Sequence, residues 1–133
     1  MLNKIILVDD NAATNFIHKK FLEKAKGSRE VVSFQMGQNA IDYLSDCDNT
    51  IPELLFVDIN MPTMDAWEFL EHFKTIERPE KDKAKIILLT TSLSPQDEIK
   101  ITERTEVENV MTKPLDVASI QGVLKRYFPL LSR

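Results

Sequence analysis

The chain has 133 residues, of which 43% are hydrophobic and 29% are charged, as in one globular domain with a sizeable core. Its net charge of −4 and the lack of a basic stripe argue against nucleic-acid binding, because phosphate contacts need clustered lysines and arginines. No apolar run approaches the roughly 20 residues that cross a membrane, and the N-terminal run is too short for a signal peptide. We therefore expect a cytoplasmic protein whose single cysteine, Cys47, is a reduced thiol without a role.

Short, nearly continuous apolar runs alternate along the chain with longer segments of helical spacing. The first run, "KIILV" from residue 4, is followed directly by two carboxylates, Asp9 and Asp10. Such runs predict strands that are buried on both faces. The predicted strands are Lys4–Val8, Glu30–Phe34, Glu53–Val57, Lys85–Leu89 and Val107–Met111.

Apolar residues three and four positions apart predict a helix after each strand. The fourth helix, in "PQDEIKITERTE", has only Ile99 and Ile101 as strong apolar residues and should be weakly anchored. Ser94 and Asp116 are the expected N-caps of the last two helices, and "ERPEKDKAK", residues 77 to 85, should be a charged surface loop. The expected buried stripes of the other helices are Ile17, Phe21 and Leu22; Ala40, Ile41 and Leu44; Phe69, Leu70, Phe73 and Ile76; and Val117, Ile120, Leu124, Tyr127 and Phe128.

Five strand–helix units predict an α/β fold, a doubly wound parallel sheet with helices on both faces. No linker or repeat interrupts the pattern, so we expect one domain over residues 1–133 with no output domain attached. In such folds the ligand site lies beyond the carboxyl ends of the strands. The polar residues at those ends are Asp9, Asp10, Asp58, Thr90 and Lys113.

The two adjacent carboxylates at the end of the first strand need an explanation. Two like charges about 4 Å apart in a partly shielded site repel by about 4 kcal/mol. A third carboxylate, Asp58, ends the third strand in "LLFVDINMP" and should lie at the same edge of the sheet. Something else in the site must offset the repulsion among these three acids.

With these residues in order, the whole chain resembles a receiver domain of a two-component response regulator, of the stand-alone, chemotaxis-regulator-like type. The resemblance rests on "DD" after the first strand, Asp58 after the third, Thr90 after the fourth and "TKP" after the fifth. It implies a flavodoxin-like fold with five parallel strands in the order 2-1-3-4-5 and five helices.

The resemblance also implies a role for each polar strand-end residue. Asp58 would accept a phosphoryl group from a phosphohistidine on a sensor histidine kinase or a phosphotransfer protein. Thr90 and Lys113 would contact that phosphoryl group, and the Lys113–Pro114 bond would be cis. The implied ligands of a Mg²⁺ ion are Asp9, Asp10, Asp58 and the backbone carbonyl of Asn60.

Physical chemistry supports these roles independently. Mg²⁺ prefers oxygen ligands and keeps several waters, so two or three carboxylates suit it. Phosphoryl transfer spreads negative charge over the equatorial oxygens, so positioned cations supply most of the catalysis. Lys113 would be the second cation, and a carboxylate such as Asp58 can form an acyl phosphate. The domain would then be no enzyme towards other molecules and would catalyse only its own phosphorylation and dephosphorylation.

Two positions depart from the family pattern. Val110 stands three residues before Lys113, where the family usually has an aromatic residue whose rotamer changes with phosphorylation. Ala66 stands where many members have glycine. We therefore expect the state of Asp58 to be read by movement of Thr90 together with the weakly anchored fourth helix. The output would be binding to an unknown downstream protein or relay of phosphate, and the face of helix 4, strand 5 and helix 5 is a possible dimer surface.

Each site residue has a structural alternative. Asp9 and Asp10 would be turn formers, Asp58 a helix cap, Thr90 an ordinary strand-end residue and Lys113 a solvated lysine. A receiver that never takes phosphate is a further alternative, which the intact set of these residues disfavours.

Two alternative functions belong to other classes. An aspartyl-phosphate phosphatase needs a second acid two residues after the nucleophile, where this chain has Asn60. A flavodoxin-like cofactor binder is disfavoured by the acidic, glycine-free loop "DDNAAT". His18 and His72 are interpreted as surface or helix-face histidines and Trp67 as a packing residue.

Overall fold

The computed structural model describes residues 1–129, and the last four residues of the expected domain 1–133 lie outside the described residues. Strands and helices alternate as the sequence predicts, and the five strand bounds differ from the predicted ones by at most two residues. In chain order the elements are β1 (Leu2–Val8), α1 (Ala12–Lys24), β2 (Ser28–Phe34), α2 (Gly37–Ser45), β3 (Leu54–Asp58), α3 (Ala66–Lys74), a 3₁₀ helix (Pro79–Lys83), β4 (Lys85–Thr90), α4 (Pro95–Thr102), β5 (Val107–Thr112) and α5 (Val117–Tyr127).

The five strands form one parallel sheet in the order β2-β1-β3-β4-β5, which confirms the doubly wound, flavodoxin-like fold. Their register brings the strand ends level. Val8 pairs with Val57, so the residues that follow them, Asp9 and Asp58, end adjacent strands at the same height. At the other side Thr90 pairs with Thr112, and Lys113 comes next.

The core consists of two clusters, one on each face of the sheet. Alternate strand residues point to opposite faces, so Ile6, Leu55 and Leu88 pack under α2 and α3, whereas Ile5, Phe56 and Leu89 pack with α1 and α5. The predicted stripes of α2 and α3 are buried, and α5 buries Ile120, Val123 and Leu124. Trp67 is 7% exposed and belongs to the first cluster, which confirms its packing role.

The predicted stripe of α1 is partly wrong. Leu22 is buried, but Ile17 is 46% exposed, and the buried face carries Asn15 and His18 instead. The reason is the position of the helix. Its first two turns lie beside the carboxyl edge of the sheet, where backbone groups need polar partners, and only its last turns face the apolar core.

The connections after α3 and β4 differ in how firmly they are held. Residues 79–83, which were expected to be a loop, form a 3₁₀ helix. The ammonium of Lys81 connects this helix to the end of α3 by donating to the carbonyls of Lys74 and Ile76. Helix α4 buries none of its residues, and Ile99 is 61% exposed, which confirms weak anchoring. Its predicted cap is present, since Ser94 Oγ accepts from the backbone N–H of Asp97 at 3.1 Å.

The Asp116 cap of α5 is also confirmed, as its carboxylate accepts from the Ser119 N–H at 2.7 Å. Cys47 is a free, exposed thiol. Among residues 1–129 there is no helix of the length and apolarity that a membrane span requires.

Candidate functional site

Four strand ends bring the candidate residues together at one edge of the sheet. Asp9, Asp58 and Thr90 are buried, with 3%, 5% and 2% of their surface exposed, while Asp10 is exposed. The adjacent β1 and β3 place the acids, while β4 beside β3 and the edge strand β5 place Thr90 and Lys113. The convergence predicted from the sequence is therefore present.

The three acids form one cluster. One carboxylate oxygen from each of Asp9, Asp10 and Asp58 lies within 4.8 Å of the others. Two of these side chains are buried and the third faces solvent, so the cluster is open on one side. Oxygen donors that leave room for water are the arrangement that Mg²⁺ prefers, and the residues fit such an ion.

Lys113 lies between the two buried acids. Its Nζ is 2.6 Å from Oδ2 of Asp9 and 3.2 Å from Oδ2 of Asp58, and its side chain is only 14% exposed. The Lys113–Pro114 peptide bond is cis, as the resemblance implies. The alternative that Lys113 is a solvated surface lysine is wrong.

Backbone hydrogen bonds hold the two buried carboxylates, those of Asp9 and Asp58, in their loops. Asp9 Oδ1 accepts from the backbone N–H of Asn11 at 2.9 Å, and Asp58 Oδ1 accepts from that of Asn60 at 3.3 Å. Asp9 thus shapes the turn before α1 with one oxygen and faces Lys113 with the other. Asp58 is not a helix cap, because Asp65 caps α3.

The Thr90 hydroxyl is bound within its own loop. It donates to the carbonyl of Ser92 at 2.6 Å and accepts from the N–H of Ser92 at 3.2 Å. The Thr90 carbonyl also accepts from the Lys113 N–H at 2.8 Å, so the ends of β4 and β5 are joined at the site. The loop that Thr90 closes leads directly into α4.

Burial and mutual charge change the ionisation of the central pair. Burial and the Asp9 carboxylate raise the pKa of Asp58, although Lys113 opposes them. Burial alone would lower the pKa of Lys113, but hydrogen bonding and attraction to Asp9 and Asp58 raise it overall. Lys113 therefore stays protonated at neutral pH, and Asp58 is a more basic carboxylate than usual.

Two polar residues of α1 were missed as members of the site. Asn15 is 4% exposed, and its Nδ2 donates to the carbonyls of Asp9 at 2.9 Å and Phe34 at 3.3 Å, which joins the ends of β1 and β2. A polar residue one turn after the Asn11 cap was the signal that could have found it.

His18 lies on a helix face, as one of the two predicted possibilities has it, but it is not a surface residue, since only 1% of it is exposed. Its Nε2 accepts from the buried N–H of Leu115 at 3.1 Å. Burial lowers the pKa of His18, and Lys113 adds to this effect while Asp9 opposes it. The imidazole is therefore neutral at pH 7.

The comparisons with known proteins agree with this geometry. Residues 5–125 match the family model of the response regulator receiver domain. Sporulation initiation phosphotransferase F of Bacillus subtilis is 26% identical over 132 residues, which are 99% of this chain and 98% of that protein. Hybrid signal transduction histidine kinase L of Dictyostelium discoideum is 27% identical over 130 residues, 96% of this chain, but the chain spans only 7% of that protein's length.

Solved structures show the same fold. A two-component response regulator from Cytophaga hutchinsonii has a TM-score of 0.85 at 27% identity, covering 96% of this chain and 98% of that one. The receiver domain of sensor histidine kinase PA1611 from Pseudomonas aeruginosa, with a magnesium ion coordinated in its active site cleft, has a TM-score of 0.77 at 21% identity and covers 94% and 96%. The chain therefore belongs to the response regulator receiver domain family of two-component signalling.

Proposed function

We propose that this chain is a phosphoacceptor response regulator in which Asp58 receives a phosphoryl group from a phosphohistidine. The observation that carries the proposal is the Lys113 ammonium, held between Asp9 at 2.6 Å and Asp58 at 3.2 Å in a cluster of three carboxylates. A cation fixed beside a basic, buried carboxylate is what transfer of a phosphoryl group to that carboxylate requires.

In the transfer step a carboxylate oxygen of Asp58 attacks the phosphorus of the phosphohistidine. The new O–P bond forms as the N–P bond breaks, and the bonding electron pair returns to the donor imidazole nitrogen. Lys113 offsets charge on the phosphoryl oxygens, and the Thr90 hydroxyl can donate to one of them once it leaves Ser92. Hydrolysis reverses the state, since water attacks the phosphorus, releases phosphate and a proton, and restores the Asp58 carboxylate.

The proposed cofactor is Mg²⁺, held by Asp9, Asp10, Asp58 and the backbone carbonyl of Asn60. When bound, the ion supplies positive charge that lets a dianionic group enter an acidic site. Support comes from the oxygen cluster itself and from the magnesium ion that the Pseudomonas receiver domain of the same fold holds in its cleft. The buried Asp9 and Asp58 orient the cluster, and the exposed Asp10 keeps it open to water.

We further propose that the domain turns over no phosphate ester of another molecule. Asn60 stands where an aspartyl-phosphate phosphatase needs its second acid, and its side chain carries no ionisable proton. The donor would be a sensor histidine kinase or a phosphotransfer protein, in line with the names of the Dictyostelium and Bacillus relatives. The downstream protein, the dimer through α4, β5 and α5, and the cytoplasmic location stay predictions.

Intact mass after incubation with a small-molecule phosphodonor tests the proposal. The wild-type chain should gain one phosphoryl group in the presence of Mg²⁺ and none with excess chelator. Asp58→Asn should gain none under either condition. Asp48→Asn, which changes an exposed acid outside the cluster, is the matched control and should behave as wild type.

Absence of an adduct on the wild type has two readings that a beryllofluoride mimic separates. Binding of the mimic with Mg²⁺ means that the phosphoryl group is short-lived and supports the proposal. Failure to bind it, or an undiminished adduct on Asp58→Asn, contradicts the proposal.

A further inference from the structure

His18 contacts the backbone of the segment from Lys113 to Leu115 from helix α1. It lies in α1, is 1% exposed and accepts through Nε2 from the backbone N–H of Leu115 at 3.1 Å. A ring nitrogen that accepts a hydrogen bond carries no proton, so the neutral imidazole has its proton on Nδ1. Leu115 is fully buried, so no water replaces His18 as the acceptor without a rearrangement of the chain.

The segment from Lys113 to Leu115 has only two backbone donors. Pro114 has no N–H. The Lys113 N–H donates to the Thr90 carbonyl at 2.8 Å, and the Leu115 N–H donates to His18. These two bonds therefore fix the segment on both sides of the proline, one to β4 and the other to α1.

The side chain of Lys113 leaves the chain between those anchors. Its ammonium must stay within reach of both Asp9 and Asp58, to which the distances are 2.6 and 3.2 Å. Catalytic groups have to be held to about 0.5 Å, and a misplacement of about 1 Å can cost about a hundredfold in rate. Loss of the bond at Leu115 would free one of the two anchors of this geometry.

We propose that His18 is a positioning residue, which holds Lys113 in place for phosphoryl transfer through the Leu115 backbone. This inference rests on the proposed function of Asp58. It differs from that function in that His18 touches neither the acids nor the phosphoryl group. Its contribution is a hydrogen-bond acceptor at one point in space.

Two substitutions with the same chemical group separate this role from simple burial. In His18→Gln the side-chain amide ends near the position of Nε2, so its oxygen can accept from Leu115. In His18→Asn the amide ends near Nδ1 and falls short. With a small-molecule phosphodonor and Mg²⁺, we expect the phosphorylation rate of His18→Gln to stay within about threefold of wild type and that of His18→Asn to fall at least about tenfold. His72→Asn, at an exposed histidine of α3, is the matched control and should leave the rate unchanged.

Equal rates in the Asn and Gln variants overturn the inference, whether both match wild type or both fall. A second measurement does not need a folded Asn variant: ¹⁵N spectra of wild-type His18 should show the proton on Nδ1, and a proton on Nε2 contradicts the proposal. A third readout is independent of phosphorylation. In the absence of donor, the Lys113 ¹³Cε resonance should move towards that of an exposed lysine in His18→Asn only, and an unmoved resonance overturns the inference even if Asp58 proves not to be the acceptor.

Discussion

The ammonium of Lys113 lies 2.6 Å from the Oδ2 atom of Asp9, in an ion pair whose side chains are 14% and 4% exposed. The pair joins the end of β5 to the end of β1 across the carboxyl edge of the sheet. Because both groups are largely removed from water, each depends on the other for charge compensation. The same lysine also forms an ion pair with Asp58. Among the described residues, the site therefore has two buried carboxylates and a single side-chain cation, the ammonium of Lys113.

Removal of that cation should destabilise the fold. Lys113→Met leaves Asp9 and Asp58 buried without their counter-charge, and breaking a buried pair in this way costs about 3 kcal/mol. We expect urea unfolding at pH 7 to show that loss in the free energy of unfolding, and Mg²⁺ to restore part of it. Unchanged stability would mean that the two carboxylates are solvated or protonated rather than paired.

Removal of one carboxylate should have the opposite effect. The pKa of Asp58 is raised above its ordinary value of 3.8, so the folded protein binds this proton more tightly than the unfolded chain. The stabilisation that protonated Asp58 gives the fold is fully present below pH 3.8 and is lost as the pH rises through the raised pKa of the folded state. At pH 7 the ionised Asp58 therefore lowers the free energy of unfolding. Asp58→Asn should therefore be more stable by about 0.5–2 kcal/mol at pH 7, whereas Asp48→Asn should stay within about 0.5 kcal/mol. Equal or lower stability of Asp58→Asn at pH 7 would contradict this view of the site.

Mg²⁺ should stabilise the folded chain by mass action. At a free ion concentration 100 times the dissociation constant, a ligand bound by the native state alone adds about 2.7 kcal/mol. Thermal unfolding at increasing MgCl₂, with ionic strength held constant by NaCl, should show a rising midpoint. Asp10→Asn should weaken the response without disturbing the core, because Asp10 is exposed. A midpoint that rises equally in Asp10→Asn would place the ion elsewhere.

Acidification should destabilise the chain through His18. Burial, helped by Lys113 and opposed by Asp9, lowers the pKa of His18 below its ordinary value of 6.5. The unfolded state thus binds the proton first, and the stability present above pH 6.5 is lost as pH falls towards the lower folded value. Unfolding free energies measured between pH 7.5 and 5 should fall in the wild type and fall less steeply in His18→Gln. Parallel slopes for the two proteins would contradict the assignment.

Phosphorylation should change the exchange of amide hydrogens in α4. Both hydrogen bonds of the Thr90 hydroxyl go to Ser92, so a move towards a phosphoryl oxygen releases the loop that begins α4, a helix without buried residues. To shift the equilibrium between two arrangements of this loop and α4 from 1:99 to 99:1, phosphorylation must supply about 5.5 kcal/mol, which a few charge-assisted hydrogen bonds can provide. Hydrogen exchange over 95–102 should therefore differ with and without beryllofluoride and Mg²⁺, while that of α2 stays constant. Identical exchange in α4 would sink the hypothesis, and Thr90→Ala should abolish the difference.

The sequence predicted those parts of the site that depend on strand order and register. Asp9, Asp58, Thr90 and Lys113 each follow an apolar run, and parallel strands place such residues at one edge. The helix caps Ser94 and Asp116 could also be predicted from the sequence, because a capping hydrogen bond joins residues that are three positions apart.

Residues whose role depends on the position of a helix were missed. Helical spacing shows which residues share a face but not what that face lies against, so Ile17 was expected to be buried and His18 was interpreted as a surface or helix-face histidine. The beginning of α1 lies over exposed backbone groups of the sheet edge and the Leu115 segment, which no local pattern reveals. The same limit applied to Asn15.

Chemical trapping of the phosphoryl group tests the central claim most directly. Borohydride reduces an acyl phosphate to a primary alcohol with release of phosphate, so a phosphorylated aspartate becomes homoserine, which peptide mass spectrometry can locate. After incubation of the wild-type chain with phosphodonor and Mg²⁺, we predict homoserine at position 58 and at no other acid. Homoserine at position 9 or 10, or an adduct that survives borohydride, would contradict the assignment of Asp58 as the phosphoacceptor.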